Sequence, residues 1–233
     1  MTTVGFATIA ESPRDDVVPY MRDEMPAGIA VVERGCLDGR APDEIAALGP
    51  EPGEVGIVAR LKSGGSTLLS HRKLLPIMQR QVDALTHEDG ADLVVILCGA
   101  DWSDVRSERL VVNPGRLFPA TISALAHGRK LGVIKPSAGQ IAKERERYAA
   151  LGIEVVVTAA EPYAGEERLA LAAAAAEEIR DAGCDLVWMT CIGMDPPMRQ
   201  IVAGITGKPV ILAHALLARI VTELVASRQP ALV

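Results

Sequence analysis

Apolar positions along the chain follow two patterns that alternate from one end to the other. Short runs rich in β-branched residues, such as 3–9 and 93–97, predict strands. Between such runs apolar residues recur at helical spacing, as in 71–89, and predict helices. Strands that alternate with helices are typical of an α/β fold built on parallel sheets.

The same two hydrophobic patterns predict the remaining elements. It predicts strands at 28–33, 131–134, 155–158, 186–190 and 209–212, and a hairpin formed by 56–61 and 66–69. It predicts helices at 42–48, 114–126, 140–151, 166–182, 197–205 and 214–226. A further helix is predicted from Ser12 to about Met25, because Ser is a favoured N-cap and Pro13 suits the first helical position.

One segment of the chain is echoed by another. Residues 90–99 resemble residues 183–192 at a constant offset of 93. In both, a helix is predicted to end at a glycine, Asp-Leu-Val opens a strand, and a cysteine stands six residues after the aspartate. A chance sharing of Asp-Leu-Val by two ordinary units is one interpretation, and duplication of a half is the other.

Duplication predicts two pseudo-symmetric open parallel-sheet domains with helices on both faces and an active-site cleft between them. The first domain is predicted to comprise 1–112 plus the returning helix in 213–233, and the second 113–212. A chain of 233 residues is long enough for either one large domain or two small ones.

Composition excludes several classes of partner. Only 3% of residues are aromatic and the net charge is −6, which argues against stacking on nucleic acid bases and against binding a phosphate backbone. No apolar run reaches the ~18 residues of a membrane span, and residues 1–6 show no signal-peptide pattern. We therefore expect a cytoplasmic protein that acts on a small molecule.

The cysteines narrow the chemistry. None of the four belongs to a C-x-x-C motif or has zinc-like spacing to a histidine, so neither a metal nor a disulfide framework is expected. No G-x-G-x-x-G or P-loop motif is present, and no cofactor is expected. Cys36 and Cys184 are predicted to be buried small apolar residues.

Cys98 and Cys191 close the two echoed strands, at the carboxyl ends where open α/β sheets bind ligands. Two domains facing each other would place one thiol on each side of a ligand. This arrangement suits proton transfer at a carbon next to a carboxylate: one thiolate removes a proton and the opposite thiol delivers one. Helix N-termini lower the pKa of a cysteine, and backbone N–H groups after each cysteine could hold a carboxylate.

Four segments carry a resemblance to a known family: 8–16, 70–73, 113–116 and 191–194. On these residues the chain resembles the AroM family, within the aspartate/glutamate racemase superfamily. That superfamily includes glutamate, aspartate and hydantoin racemases, maleate isomerase and arylmalonate decarboxylase. The resemblance implies the two-domain fold, a cofactor-independent reaction and a catalytic pair made of Cys98 and Cys191.

By position, the resemblance also implies residues that hold the substrate. Ser12 matches a polar residue that helps to bind the substrate carboxylate, and Gly99 one that donates a backbone N–H. Ser137 lies where relatives place a side chain over the ligand. Ile192 and Gly193, directly after the second cysteine, complete the implied substrate-binding set.

Two arginines are further candidates on their own chemistry. Arg14 and Arg72 stand at predicted helix starts, where the helix dipole disfavours a cation. Each could pair with a second carboxylate of a diacid, and each could also be an ordinary surface residue.

The sequence departs from the racemase pattern after each cysteine, at 99–101 and 192–194, and no histidine closely follows Cys191. The reaction therefore stays open. A two-thiol racemase, epimerase or isomerase is the first hypothesis. A decarboxylase or lyase that uses only Cys191 is the second, and a non-catalytic binder of a shikimate-pathway carboxylate is the third. The expected partner is a small carboxylate, without nucleic acid or membrane, and a homodimer stays open.

Overall fold

The structure of the protein, a computed structural model, describes residues 2–226. The strands are Thr3–Thr8 (β1), Ala30–Gly35 (β2), Ile57–Arg60 (β3), Ser66–Leu69 (β4), Leu93–Leu97 (β5), Leu110–Val112 (β6), Leu131–Lys135 (β7), Val155–Ala159 (β8), Leu186–Met189 (β9) and Val210–Leu212 (β10). The α-helices are Val18–Asp23 (α1), Pro42–Ala47 (α2), His71–His87 (α3), Pro114–Leu125 (α4), Ile141–Ala150 (α5), Glu167–Asp181 (α6), Pro196–Thr206 (α7) and Ala213–Ala226 (α8).

Residue contacts divide the described chain into two compact units. Unit 1 takes in 2–63, 67–116 and 215–226, and unit 2 takes in 64–66 and 117–214. The domain boundaries predicted from the sequence stay a prediction, and their last residues, 227–233, lie outside the described part of the chain.

Each unit is built on a four-stranded sheet whose strands are all parallel. The order is β2-β1-β5-β6 in unit 1 and β8-β7-β9-β10 in unit 2. Strands β3 and β4 form a separate two-stranded sheet. The predicted α/β class with two parallel sheets is therefore confirmed.

The two echoed aspartates perform the same task in the two sheets. Asp92 accepts the N–H of Thr3 on its carboxylate (2.9 Å) and donates its own N–H to the Thr3 carbonyl (2.8 Å). Asp185 makes the same pair of bonds with Lys130, at 2.9 and 2.8 Å. Each aspartate thus ties the start of its strand, β5 or β9, to the start of the neighbouring strand.

A glycine in each sheet admits the covering helix. A β-carbon on Gly5 in β1 would lie 3.1 Å from a methyl carbon of Leu85 on α3. A β-carbon on Gly132 in β7 would lie 2.6 Å from one of Ile179 on α6. A side chain at either position would crowd the helix that covers the sheet, so α3 and α6 approach their sheets at corresponding places.

The helix predicted from Ser12 to Met25 is wrong over its first third. Helix α1 begins at Val18, and its N-cap residue is Val17. The backbone N–H groups of Ser12 and Arg14 are instead taken by the carboxylates of Asp38 (2.6 Å) and Glu33 (2.8 Å). These long-range bonds hold 12–16 as a loop, although the local sequence resembles a helix start.

Strand β6 was not predicted, because it spans three residues and a period cannot be recognised in so short a segment. Strand β2 begins two residues later than predicted and reaches Gly35. The other predicted elements are found with boundary shifts of one or two residues.

Candidate functional site

The first predicted catalytic residue directly follows a central strand of unit 1. Strand β5 is buried along its whole length and lies between β1 and β6. Cys98 comes next and is 5% exposed. The N–H of Ala100 donates to the Cys98 Sγ at 3.5 Å. The thiol therefore sits at the carboxyl end of the sheet, as the sequence predicts.

The loop that Cys98 begins is fixed by one asparagine. The Oδ1 of Asn113 accepts the N–H groups of Trp102 (3.3 Å) and Gly115 (3.1 Å), and its Nδ2 donates to Asp101 (3.0 Å). A β-carbon on Gly115 would lie 2.1 Å from the Ala100 carbonyl oxygen. Helix α4 thus starts directly against the 98–102 loop, and no other residue at position 115 would fit without a backbone shift.

The second predicted catalytic residue, Cys191, occupies the corresponding place in unit 2. It lies two residues after β9, which is hydrogen-bonded to β7 and β10. Both the N–H and the hydroxyl of Thr190 donate to the Ile134 carbonyl, each at 3.1 Å, so the strand end is held on β7. The N–H of Met194 donates to the Cys191 carbonyl at 3.1 Å and closes a turn. Cys191 is half-buried and more accessible than Cys98.

A tyrosine that the sequence reasoning missed lies against this turn. A β-carbon on Gly193 would stand 2.0 Å from the hydroxyl oxygen of Tyr163, so the phenol contacts the Gly193 backbone. Tyr163 follows β8 by four residues and therefore belongs to the same carboxyl edge as Cys191. Its place after a strand of the second half is the sequence signal that could have found it.

His214 supports the same turn from the first turn of α8. It is 3% exposed, and its Nδ1 lies 3.1 Å from the Ile192 carbonyl oxygen. Burial lowers the pKa of His214 below its ordinary value, against the opposing effect of hydrogen bonds with the Ile192 and Met194 backbone. The imidazole is therefore neutral at pH 7.

The helix after Cys191 has no first-turn N–H left for a substrate. Pro196 and Pro197 lack an N–H, and that of Met198 is bonded to the Asp195 carboxylate at 2.9 Å. The N–H of Arg199 donates to the Asp195 carbonyl at 3.1 Å. The prediction that backbone N–H groups after Cys191 hold a carboxylate therefore concerns the turn that precedes α7, and it stays a prediction.

Two of the predicted substrate-binding residues already hold carboxylates of unit 1. The hydroxyl and the N–H of Ser12 both donate to Asp38, at 2.6 Å each. Arg14 is 3% exposed. Its Nε and Nη2 donate to the two oxygens of Asp16, at 2.8 Å each, and its Nη1 donates to the Thr8 hydroxyl at 3.0 Å.

The other predicted residues lie as follows. Gly99 is exposed beside Cys98, and Arg72 is exposed in the first turn of α3. Ser137 is half-buried after β7, before a short 3-10 turn at Ala138–Gln140. Ile192 is buried and belongs with Gly193 to the turn after Cys191. Their roles toward a substrate stay predictions.

The two remaining thiols are buried, as predicted. Burial raises the pKa of Cys36 to about 12, and burial likewise raises the pKa of Cys184. A thiol with a raised pKa is a poor nucleophile and a poor base precursor at neutral pH. These two cysteines are therefore internal references for the reactivity of Cys98 and Cys191.

Two features are absent from residues 2–226. Among these residues, no group of three or more His, Cys, Asp or Glu side chains is arranged to hold a metal ion. None of the helices in this part of the chain combines the length and the apolar character needed to cross a membrane.

Solved structures of racemases and a decarboxylase share this fold. The chain is similar to Picrophilus torridus aspartate racemase, at 13% identity and a TM-score of 0.59, covering 97% of this chain and 95% of that chain. It is similar to glutamate racemase from Aquifex pyrophilus at 14% identity and a TM-score of 0.59, covering 96% and 84%. It is similar to unliganded arylmalonate decarboxylase at 12% identity and a TM-score of 0.53, covering 94% and 91%.

At such identities the likeness shows the fold and leaves the reaction undecided. A comparison with curated protein sequences finds no match. The family model described as AroM protein matches residues 4–225, nearly the whole chain. The AroM resemblance inferred from four short segments is thereby confirmed, and the chain belongs to the AroM family.

Proposed function

We propose that the protein is a cofactor-independent isomerase that transfers a proton at the carbon next to a carboxylate, with Cys98 and Cys191 as its two acid–base groups. The observation that carries the proposal is an arrangement of aspartate, strand and cysteine that is found in both units. In both units an aspartate pins a central strand to its neighbour, and a cysteine follows the carboxyl end of that strand. The fold shared with racemases supports the proposal.

The proposed step balances as a proton exchange. One cysteine thiolate takes the proton from the carbon, so that a C–H bond breaks and an S–H bond forms. The electron pair moves into the carboxylate, which becomes an enediolate. The other thiol then gives its proton to the opposite face of the carbon and is left as the thiolate. The N–H of Ala100 on the Cys98 sulfur would help that residue to hold its charge.

The test is exchange of the α-proton in D₂O, followed by NMR over a panel of amino, hydroxy and dicarboxylic acids. We expect exchange by the wild-type chain and none by Cys98→Ser or Cys191→Ser. Cys36→Ala and Cys184→Ala are matched controls, because these thiols are buried and their pKa values are raised. Wild-type exchange rates in both serine variants would refute the mechanism.

A one-thiol decarboxylase is the second candidate. The specific observation in its favour is the unequal burial of the two thiols, since Cys191 is half-buried and Cys98 is 5% exposed. The fold shared with arylmalonate decarboxylase supports it too. Release of CO₂ from substituted malonates that is lost in Cys191→Ala and kept in Cys98→Ala would select this reaction. Thermal stabilisation by an acid without any turnover would select a non-catalytic binder instead.

A further inference from the structure

Two residues of unit 1 that were predicted to bind a substrate carboxylate already bind carboxylates of the protein. Ser12 and Arg14 are engaged by Asp38 and Asp16, so a substrate carboxylate would have to displace an internal one. Such an exchange gains little, because one charge-assisted bond replaces another of the same kind. A site that binds a carboxylate without displacing an internal one needs buried donors that lack a partner.

Two such nitrogens belong to neighbouring rings in unit 1. The Nε1 of Trp102 and the Nε2 of His71 are buried and have no hydrogen-bond partner. The Trp102 side chain is 1% exposed. The two rings are in contact, with centroids 4.5 Å apart and planes inclined by 46°. A buried polar atom without a partner is costly and rare in native proteins, so a missing acceptor is the natural explanation.

The positions of the two residues connect them to the candidate site. Trp102 belongs to the loop that begins with Cys98, and its backbone N–H is bonded to Asn113. His71 is the first residue of α3, a helix of 17 residues that is capped by Ser70. The positive end of a helix dipole favours an anion at that place.

The charges around this helix start are mixed. Lys73 in the first turn is paired with Glu51 at 2.7 Å, and Glu54 accepts the hydroxyl of Ser70 at 2.7 Å. Arg72 is exposed in the same turn and adds a further positive charge. The acids near α3 are thus already bonded to neighbours, whereas the two ring nitrogens are not.

We propose that Trp102 and His71 together bind one carboxylate oxygen of the substrate. The indole Nε1–H can only donate, and His71 in its Nε2–H tautomer donates as well. A carboxylate oxygen accepts two hydrogen bonds, so it matches this pair. The pair therefore suits the carboxylate of an acid. That the bound acid is also the substrate rests on the proposed function, whereas binding itself can be tested without turnover.

The test is calorimetric titration with malonate, succinate and L-aspartate as probes. We expect binding to the wild-type chain, and about tenfold weaker binding to Trp102→Phe and to His71→Phe, the loss typical of one hydrogen bond to a charged group. His71→Gln retains a donor in place of Nε2 and should recover most of the affinity. Trp188→Phe is the matched control, since Trp188 is also buried but lies in unit 2, and we expect its affinity to stay within about twofold of wild type.

A second measurement observes the indole itself. The chain has two tryptophans, so in Trp188→Phe the emission reports Trp102 alone, and it should change with bound malonate in proportion to occupancy. Unchanged affinity in Trp102→Phe, unchanged emission on binding, or no binding of any of the three acids to the wild-type chain would overturn the proposal. Binding that follows the expected pattern without any α-proton exchange would instead refute the proposed function and leave this site standing.

Discussion

Replacement of Arg14 by methionine distinguishes a structural role from a substrate-binding role. Arg14 is 3% exposed, makes two bonds to Asp16 and one to the Thr8 hydroxyl. Methionine keeps much of the aliphatic length and removes the charge and every guanidinium donor. Asp16, whose side chain is 21% exposed, would keep Arg60 at 3.4 Å as a cationic partner.

The magnitude follows from the burial of the pair. Removal of one partner from a buried ion pair costs ~3–5 kcal/mol. Because Asp16 is partly exposed and retains Arg60, we expect the lower end, about 3 kcal/mol. For a chain of this length that corresponds to a fall in the melting temperature of roughly 6–12 °C.

The destabilisation caused by Arg14→Met should depend on pH in a defined direction. Burial alone would raise the pKa of Asp16, but its hydrogen bonds and charge interaction with Arg14, together with the charge of Arg60, hold that pKa below its ordinary value of 3.8. A carboxyl with a lowered folded pKa stabilises the fold above its unfolded pKa and loses this contribution as the pH falls through the folded value. The destabilisation in Arg14→Met should therefore be complete at pH 7 and smaller at pH 3.

The assay is urea unfolding followed by circular dichroism at both pH values. Arg72→Met is the matched control, because Arg72 is exposed, and its free energy of unfolding should stay within ~0.5 kcal/mol of wild type. A double-mutant cycle with Asp16→Asn should recover the coupling between the two side chains. If Arg14→Met were as stable as wild type and bound malonate more weakly, the structural reasoning would be refuted and the substrate role of Arg14 supported.

Two further predictions concern the turn after Cys191. Gly193→Ala should be destabilised by about 1–3 kcal/mol and should slow alkylation of Cys191 by iodoacetamide, because the new β-carbon meets the Tyr163 hydroxyl at 2.0 Å. Adding Tyr163→Ala removes that hydroxyl and should relieve both effects. If neither effect were relieved, the clash would not be their cause. His214 has a lowered pKa, so its contribution is present above its ordinary value of 6.5 and is lost as the pH falls below it. The free energy of unfolding in urea should therefore fall more between pH 7.5 and 5.5 for wild type than for His214→Gln. An equal fall in the two proteins would contradict a buried neutral imidazole.

Much of the fold was predictable because its signals are local. The continuous apolar run of β5 and the helical spacing in α3 report burial directly, and both elements were found where they were predicted. The echo around Asp92 and Asp185 was also a local signal, and its meaning lies in the bonds that each aspartate makes to a neighbouring strand. A repeated pattern reports a repeated structural task even where the rest of the two halves differs in sequence.

The wrong prediction of a helix start at 12–16 has a physical cause in the tertiary structure. The segment 12–16 resembles a helix start, but the carboxylates of Glu33 and Asp38, brought in by folding, bond its backbone donors more favourably than a helix turn would. The substrate role of Arg14 stays a prediction, and the fold bonds its guanidinium to Asp16, two residues away. At 12–16, in contrast, partners that are distant along the chain replace the helix start that the local residues suggest.

The sequence by itself determined the α/β class, the two strands that share the Asp-Leu-Val pattern and the placement of Cys98 and Cys191 at strand ends, since these depend on apolar periodicity and on the order of residues along the chain. Only the tertiary structure decided which side chains surround them. Tyr163 and His214 reach the turn after Cys191 from other strand ends, and His71 reaches Trp102 from a helix start. The contacts around Cys191 arise because the carboxyl ends of parallel strands meet at one edge of the sheet, which brings together residues that no local pattern relates.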